Sequence, residues 1–195
     1  MATNDIVVFE TTEGSFQVEL FTEKMPITVA NFVDLAIDRK FYDGLYIHRI
    51  VPEFCIQFGC PFALDPHVYH GTLEHDDVGK GSGPADTSFK TFDGKEHQRD
   101  EDGNIEDELI KGISNEKGTL SMANSGEPDT GGSQFFINVT SNKHLDWFNG
   151  SSESYHPVFG KVIKGYDDVV EKIEKVEINA EQPVTPIKVI SIRMV

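Results

Sequence analysis

The sequence is short of basic residues and thiols, and each shortage closes off a class of function. Only 17 Lys and Arg stand against 33 Asp and Glu, a formal net charge of −16. Nucleic-acid surfaces need clustered cations to displace phosphate counterions, and anionic lipid faces need the same, so neither kind of partner is expected. The two cysteines, Cys55 and Cys60, are too few for a disulfide scaffold. Five positions in an extended chain span about 16 Å, whereas a disulfide needs Cα atoms within about 7 Å. The spacing is not that of a CxxC motif either, so both are read as reduced thiols. No uninterrupted apolar run approaches the roughly 20 residues of a membrane span. Met1 to Ile6 lacks a basic stretch followed by an apolar one, so no secretory signal is expected and the cytoplasm is the default location.

What is present suits one domain over residues 1–195 with a sizeable core, 38% apolar and carrying 14 Phe. Ile6–Glu10 and Ser15–Phe21 alternate as strands around a turn at 11–14. From Pro26 the period changes: Val29, Phe32, Val33, Ala36 and Ile37 recur as on one face of a helix, with Thr22 or Thr28 as a candidate cap. Strands are expected over Leu45–Val51, Phe54–Phe58, Thr119–Ala123, Gln134–Val139, Pro157–Ile163 and Ile187–Val195, with a second helix over Tyr166–Glu174. Many short strands with two helices predict a closed β-barrel, its ends covered by the helices. Residues 61–112 lose periodicity and carry an acidic run. They read as a long surface excursion, with a short hairpin near Phe89 to Phe92.

Several motifs fail on inspection. Gly79–Gly83 lacks the Gly-Lys-Ser/Thr ending of a phosphate loop. Asp100, Asp102 and Asn104 begin like a calcium loop, but Ile105 stands where glycine is needed and Lys111 where a bidentate acid belongs. His67, His70 and His75 match no metal signature. The sequons at Asn138 and Asn149 mean nothing without secretion. Ser133 is not in a Gly-x-Ser-x-Gly elbow. No metal and no cofactor are expected.

Two stretches remain. Along Gln134–Val139 successive side chains alternate, so Phe135, Ile137 and Val139 form a core face while Gln134, Phe136 and Asn138 share the other. Residues 47–59 likewise set Arg49 and Gln57 inside an apolar, strand-prone run, a costly place for a guanidinium unless something uses it. Together Arg49, Gln57, Asn124 and Gln134 offer donors among Phe54, Cys55, Met122, Phe136 and Leu145. That mixture fits an uncharged, partly apolar ligand.

With these residues assembled the chain resembles the cyclophilins, the cyclosporin-binding peptidyl-prolyl cis-trans isomerases. The resemblance rests on Phe41-Tyr42-Asp43-Gly44, His48-Arg49-Ile50-Val51-Pro52, Phe54, Gln57, Leu120–Asn124, Gly132–Ile137, Leu145-Asp146 and Pro157–Gly160, in the family's order and outside 61–112. It implies a closed eight-stranded antiparallel β-barrel capped by two helices, in agreement with the strand count, with Arg49 as the catalytic arginine, Phe54, Phe136 and Leu145 as walls of a proline pocket, and His156 at the rim. Cys55 stands where the family often has methionine. Gln57 and Asn124 would hold the substrate backbone, with Ala123, Ser125 and Gln134 beside the groove. His144 occupies a position where several members carry a cyclosporin-contacting tryptophan, so drug binding is expected to be weakened. The implied partners are proline-containing peptides and client proteins, met by a monomer that assists folding. A proline-peptide reader without useful turnover and a Cys55/Cys60 thiol sensor are the alternative readings.

Overall fold

The computed structural model describes residues 5–64, 77–150 and 155–195. His67, His70 and His75 lie outside the described residues, as do 65–76 of the excursion and Ser151 of the second sequon. The chain lays down β1 (Ile6–Thr11), β2 (Gly14–Leu20), α1 (Pro26–Val33) and β3 (Arg49–Val51), then β4 (Cys55–Phe58), β5 (Ser88–Lys90) and β6 (Glu96–Gln98). β7 (Thr119–Met122), β8 (Phe135–Asn138), β9 (Val158–Lys164), α2 (Glu171–Glu174), β10 (Ile178–Asn179), β11 (Gln182–Pro183) and β12 (Val189–Met194) follow. Wider helical turns extend α1 through Asp38 and lead into α2 from Tyr166. No described helix is long and apolar enough to cross a membrane.

One antiparallel sheet carries eight strands in the order β12-β1-β2-β9-β7-β8-β4-β3. It curls, but it does not close, so the expected closed barrel is corrected to an open half-barrel. The reason lies at β3. Its outer edge meets the β10–β11 hairpin, with the Ile50 amide donating to the Glu181 carbonyl at 2.6 Å. β12 therefore reaches only the residues ahead of β3, through an isolated bridge between Tyr46 and Lys188. The strand expected over Leu45–Val51 shrinks to three residues for the same reason.

The concave side is filled with phenylalanine. Phe9 stacks on Phe16 at 4.8 Å, Phe58 on Phe135 at 5.2 Å, and Phe32 meets Phe135 edge-on at 5.5 Å. Such pairs contribute about 0.5–1.5 kcal/mol each beyond the area they bury. In β12 the expected alternation slips. Glu10 pairs with Ser191 and Thr11 with Val189, leaving Ile190 as the extra residue of a bulge. Val189 and Ile192 are thus buried while Ile190 is 53% exposed.

The excursion is packed rather than loose. β5 and β6 form the anticipated hairpin. Arg99, fully buried, donates to Asn31 Oδ1 (2.8 Å), Thr87 Oγ1 (2.9 Å) and Asp34 Oδ2 (2.7 Å), and its guanidinium lies 4.8 Å above the Phe89 ring. Asn31 in turn donates to the Gly132 carbonyl at 2.9 Å. The α1 cap is neither Thr22 nor Thr28. Glu108, from the excursion, takes the amides of Ile27 (2.9 Å) and Thr28 (2.6 Å), placing a carboxylate where the helix presents its unpaired N–H groups. A Cβ on Gly132 would fall 1.8 Å from Ser82 Oγ, so glycine there admits the excursion against the loop between β7 and β8, the central loop of the chain.

Acid should loosen this fold through His48. The ring is 4% exposed, and although the Gln134 amide is close enough to soften the shift, neither imidazole nitrogen has a partner at hydrogen-bond distance. Burial pushes its pKa down to about 4, with the Arg49 charge adding to the effect. At pH 7 the imidazole is neutral in the folded state and mostly neutral in the unfolded one. Between about 6.5 and 4 the unfolded chain takes up the proton and the folded one does not, so stability falls as pH falls. The loss from pH 7 to pH 5 should be roughly 2 kcal/mol, and burial of His156 acts in the same direction. Urea denaturation of the native chain and His48→Phe at both pH values checks this. A shallower loss in the variant is expected, and equal losses would contradict it.

Candidate active site

Strand register builds the site. Arg49 pairs with Gln57, Gln57 with Phe136, and Phe136 with Ser121, so these side chains form one row on the convex face. The neighbouring row, Ile50, Ile56, Ile137 and Leu120, points into the core. A slip of one residue would drive the guanidinium into that core.

Beside Arg49 is a small apolar cluster separate from the main core. Cys55, Phe136 and Leu145 are its buried members, with Val51, Phe54 and Ala123 packed on them. Phe54 and Phe136 stack at 6.4 Å, His144 extends the stack 6.0 Å from Phe54, and the His156 ring meets Phe136 edge-on at 5.4 Å. Met122 belongs to the main core instead, and its carbonyl lies 2.8 Å from His156 Nδ1. Burial lowers the His156 pKa, with Met122 opposing. The same effect pushes the Cys55 thiol up to about 11, leaving it protonated at neutral pH and a poor nucleophile despite Arg49 Nη1 3.7 Å away. Both cysteines are free thiols.

A hydrogen-bond chain spans the polar side. Arg49 Nε donates to Glu181 Oε2 (2.7 Å) and Nη1 to Gln57 Oε1 (3.3 Å). Gln57 Nε2 donates to Gln134 Oε1 (2.8 Å), and Gln134 Nε2 to the carbonyls of Gly79 (2.8 Å) and Gly81 (2.6 Å). Among the described residues Nη2 of Arg49 has no partner. Next to the chain opens a cavity of about 460 Å³ between the excursion and the central loop, lined by Gln57, Lys80, Asp102, Ala123, Asn124 and Gln134. Asn124 spends its side chain within the loop, donating to the Tyr155 carbonyl and accepting from the Gly126 amide, and Ser125 Oγ binds Thr130 at 3.0 Å.

The structure thus gathers Arg49, Phe54, Cys55, Gln57, Gln134, Phe136, His144, Leu145 and His156 around one cleft, with Ala123, Asn124 and Ser125 along its continuation. Three supports were not found by sequence reasoning. Glu181 lies 132 positions from Arg49, in a turn with no periodic pattern to mark it. The Gly79 and Gly81 carbonyls are backbone acceptors. The segment bearing His144 and Leu145 is fixed by buried Asp146, which accepts from Ser114 Oγ and from both the backbone and side-chain N–H groups of Asn115. Asp100, the start of the calcium-like run, instead closes its own loop by accepting the Asp102 and Asn104 amides.

Comparison with known proteins identifies the family of the chain as a whole. Residues 6–194 match the family described as cyclophilin type peptidyl-prolyl cis-trans isomerase/CLD. A peptidyl-prolyl cis-trans isomerase-like 1 of Aspergillus fumigatus is 36% identical over 100% of this chain and 97% of its own length. A peptidyl-prolyl cis-trans isomerase of Acinetobacter baylyi is 32% identical, covering 98% of this chain and 86% of its own. A cyclophilin-type isomerase of Cryptosporidium parvum superposes with a TM-score of 0.73 at 25% identity, covering 98% of this chain and 97% of that one. The same parasite protein crystallised in the presence of the dipeptide Ala-Pro gives a TM-score of 0.71. Fold, matched length and shared sequence agree: the chain belongs to the cyclophilin-type peptidyl-prolyl cis-trans isomerases.

Proposed function

We propose that the cleft isomerises X–Pro bonds by an arginine-assisted, non-covalent route that needs no metal, with Arg49 as the catalytic residue. The observation that carries this is a half-buried guanidinium, tethered on two nitrogens and unpartnered on the third, beside the apolar cluster. An X–Pro bond resists rotation because the nitrogen lone pair is delocalised into the carbonyl, a barrier near 20 kcal/mol. Twisting localises the lone pair and makes the nitrogen a better acceptor. A donor aimed at it favours the twisted state over both planar ones, as catalysis requires.

One charge-assisted hydrogen bond contributes roughly 1.5–3 kcal/mol, whereas a ~10⁴ acceleration needs about 5.5 kcal/mol. Arg49 cannot supply it alone. Phe54, Phe136 and Leu145 hold the proline ring in a dry pocket, where the donor faces less competition from water. Gln57 and the backbone of Asn124, whose N–H and C=O have no partner among the described residues, fix the peptide. Ala123, Ser125 and Gln134 line the groove beyond, and His156 closes the rim. The biological substrates in this reading are proline-containing segments of client proteins, acted on during folding.

Cyclosporin should bind weakly. His144 presents a small ring where the family's tryptophan contact would be, and Trp147, with its indole nitrogen buried, does not replace it. His144→Trp should tighten cyclosporin binding by about tenfold, the scale of one good aromatic contact, as read by calorimetry. Unchanged or weaker binding contradicts this assignment. For the catalytic reading, Arg49→Ala should lower kcat/KM at least tenfold in an NMR exchange assay on an Ala-Pro peptide, with the circular dichroism spectrum unchanged. A rate equal to that of the native chain would remove Arg49 from the mechanism.

A further inference from the structure

Glu181 sits at the tip of the β10–β11 hairpin, in a two-residue loop with Ala180. Both loop residues have positive φ, 48° for Ala180 and 67° for Glu181. Tight hairpin loops of this handedness favour asparagine and glycine, because a Cβ is strained there. Glycine at 181 would relieve the backbone and keep the Glu181 carbonyl that accepts the Ile50 amide at 2.6 Å. What glycine would forfeit is the carboxylate. That carboxylate accepts from Arg49 Nε at 2.7 Å. The side chains of Arg49 and Glu181 are 36% and 51% exposed, so the pair does little for global stability, as exposed ion pairs generally do. A strained position whose side chain contributes little to the fold but engages the catalytic arginine calls for a functional reading.

We infer that Glu181 is a positioning residue for the isomerase reaction: it fixes the rotation of the Arg49 guanidinium so that its unpartnered edge faces the proline pocket. The inference rests on the catalytic reading of Arg49. A guanidinium is a planar fork, and one tether leaves it free to swing about the bonds of its stem. Gln57, on Nη1 at 3.3 Å, is the looser tether, and Glu181 on Nε is the shorter one. With both in place, Nη2 is the donor left for substrate. The two anchors come from different parts of the chain, Gln57 from within the sheet and Glu181 from a hairpin docked on its open edge. The gap that keeps the sheet from closing is therefore where the arginine receives its second tether.

The test is a set of Glu181 variants in the full chain, assayed by NMR exchange on Ala-Pro peptides. Glu181→Gly removes the carboxylate while easing the turn, and an unchanged circular dichroism spectrum separates a loss of rate from unfolding. It should lower kcat by three- to tenfold and leave KM for a neutral peptide within twofold, since the peptide does not touch Glu181. Glu181→Gln, which keeps an oxygen able to accept from Nε, should recover most of that loss. The Arg49 Nε–H resonance, slowed in exchange in the native chain and in Glu181→Gln, should broaden or vanish in Glu181→Gly. In an Arg49→Ala background Glu181→Gly should have no further effect on rate. An undiminished kcat in Glu181→Gly, or an equal loss in the Arg49→Ala background, overturns the inference. If Arg49→Ala itself leaves the rate unchanged, the catalytic reading falls first. The resonance then reports independently whether Glu181 orders the guanidinium, and an unaltered Nε–H signal in Glu181→Gly refutes the positioning.

Discussion

A single line of hydrogen bonds, from Glu181 through Arg49, Gln57 and Gln134 to the carbonyls of Gly79 and Gly81, holds the cleft in shape. It runs from β3 across β4 to the residue that leads into β8, and fastens a segment outside the sheet at each end. Arg49 and Gln57 use side chains that the strand alternation has already turned away from the core, so the line exists only in the observed register. Because amide and guanidinium groups are tethered to one another, little reorganisation is needed when a peptide arrives, which is the condition under which a fixed dipole or charge favours a transition state.

The excursion changes meaning in this setting. Its described part is bound to α1 by Arg99, Asn31 and the Glu108 cap, and to the central loop by the close approach of Ser82 to Gly132. A buried arginine with its carboxylate and amide partners satisfied is costly to leave half-paired, so such a junction holds the segment in one place. One wall of the 460 Å³ cavity beside Gln134 is thereby fixed. The described part of this polar stretch is in this way a wall of the cavity rather than a decoration of the surface.

How much of this was legible in the sequence follows from range. Period-two alternation is local, so the faces of Gln134–Val139 and the placement of Arg49 and Gln57 on one side could be read directly, as could the apolar stripe from Val29 to Ile37. The cyclophilin-like motifs carried the family. Contacts between distant segments could not be read. The Glu108 cap lies 81 positions from Ile27, and nothing around Arg99 marks it as buried, since its neighbours Gln98 and Asp100 are exposed. The closed barrel failed for a similar reason: eight strands could be counted, but not that a two-residue hairpin loop would occupy the edge β3 needed for closure. The bulge at Ile190 escaped because its cause is the pairing partner, not the strand's own pattern.

The central claim is that geometry, and not charge alone, makes Arg49 effective. Lysine at position 49 retains the positive charge but offers one ammonium in place of a fork that can bind Glu181, Gln57 and the imide together. The deciding measurement is the exchange rate of an Ala-Pro peptide catalysed by Arg49→Lys at saturating peptide. A rate at least tenfold below that of the native chain is the result this account requires, and a rate within twofold of it would show that a nearby cation suffices and that the tethered fork has no catalytic part.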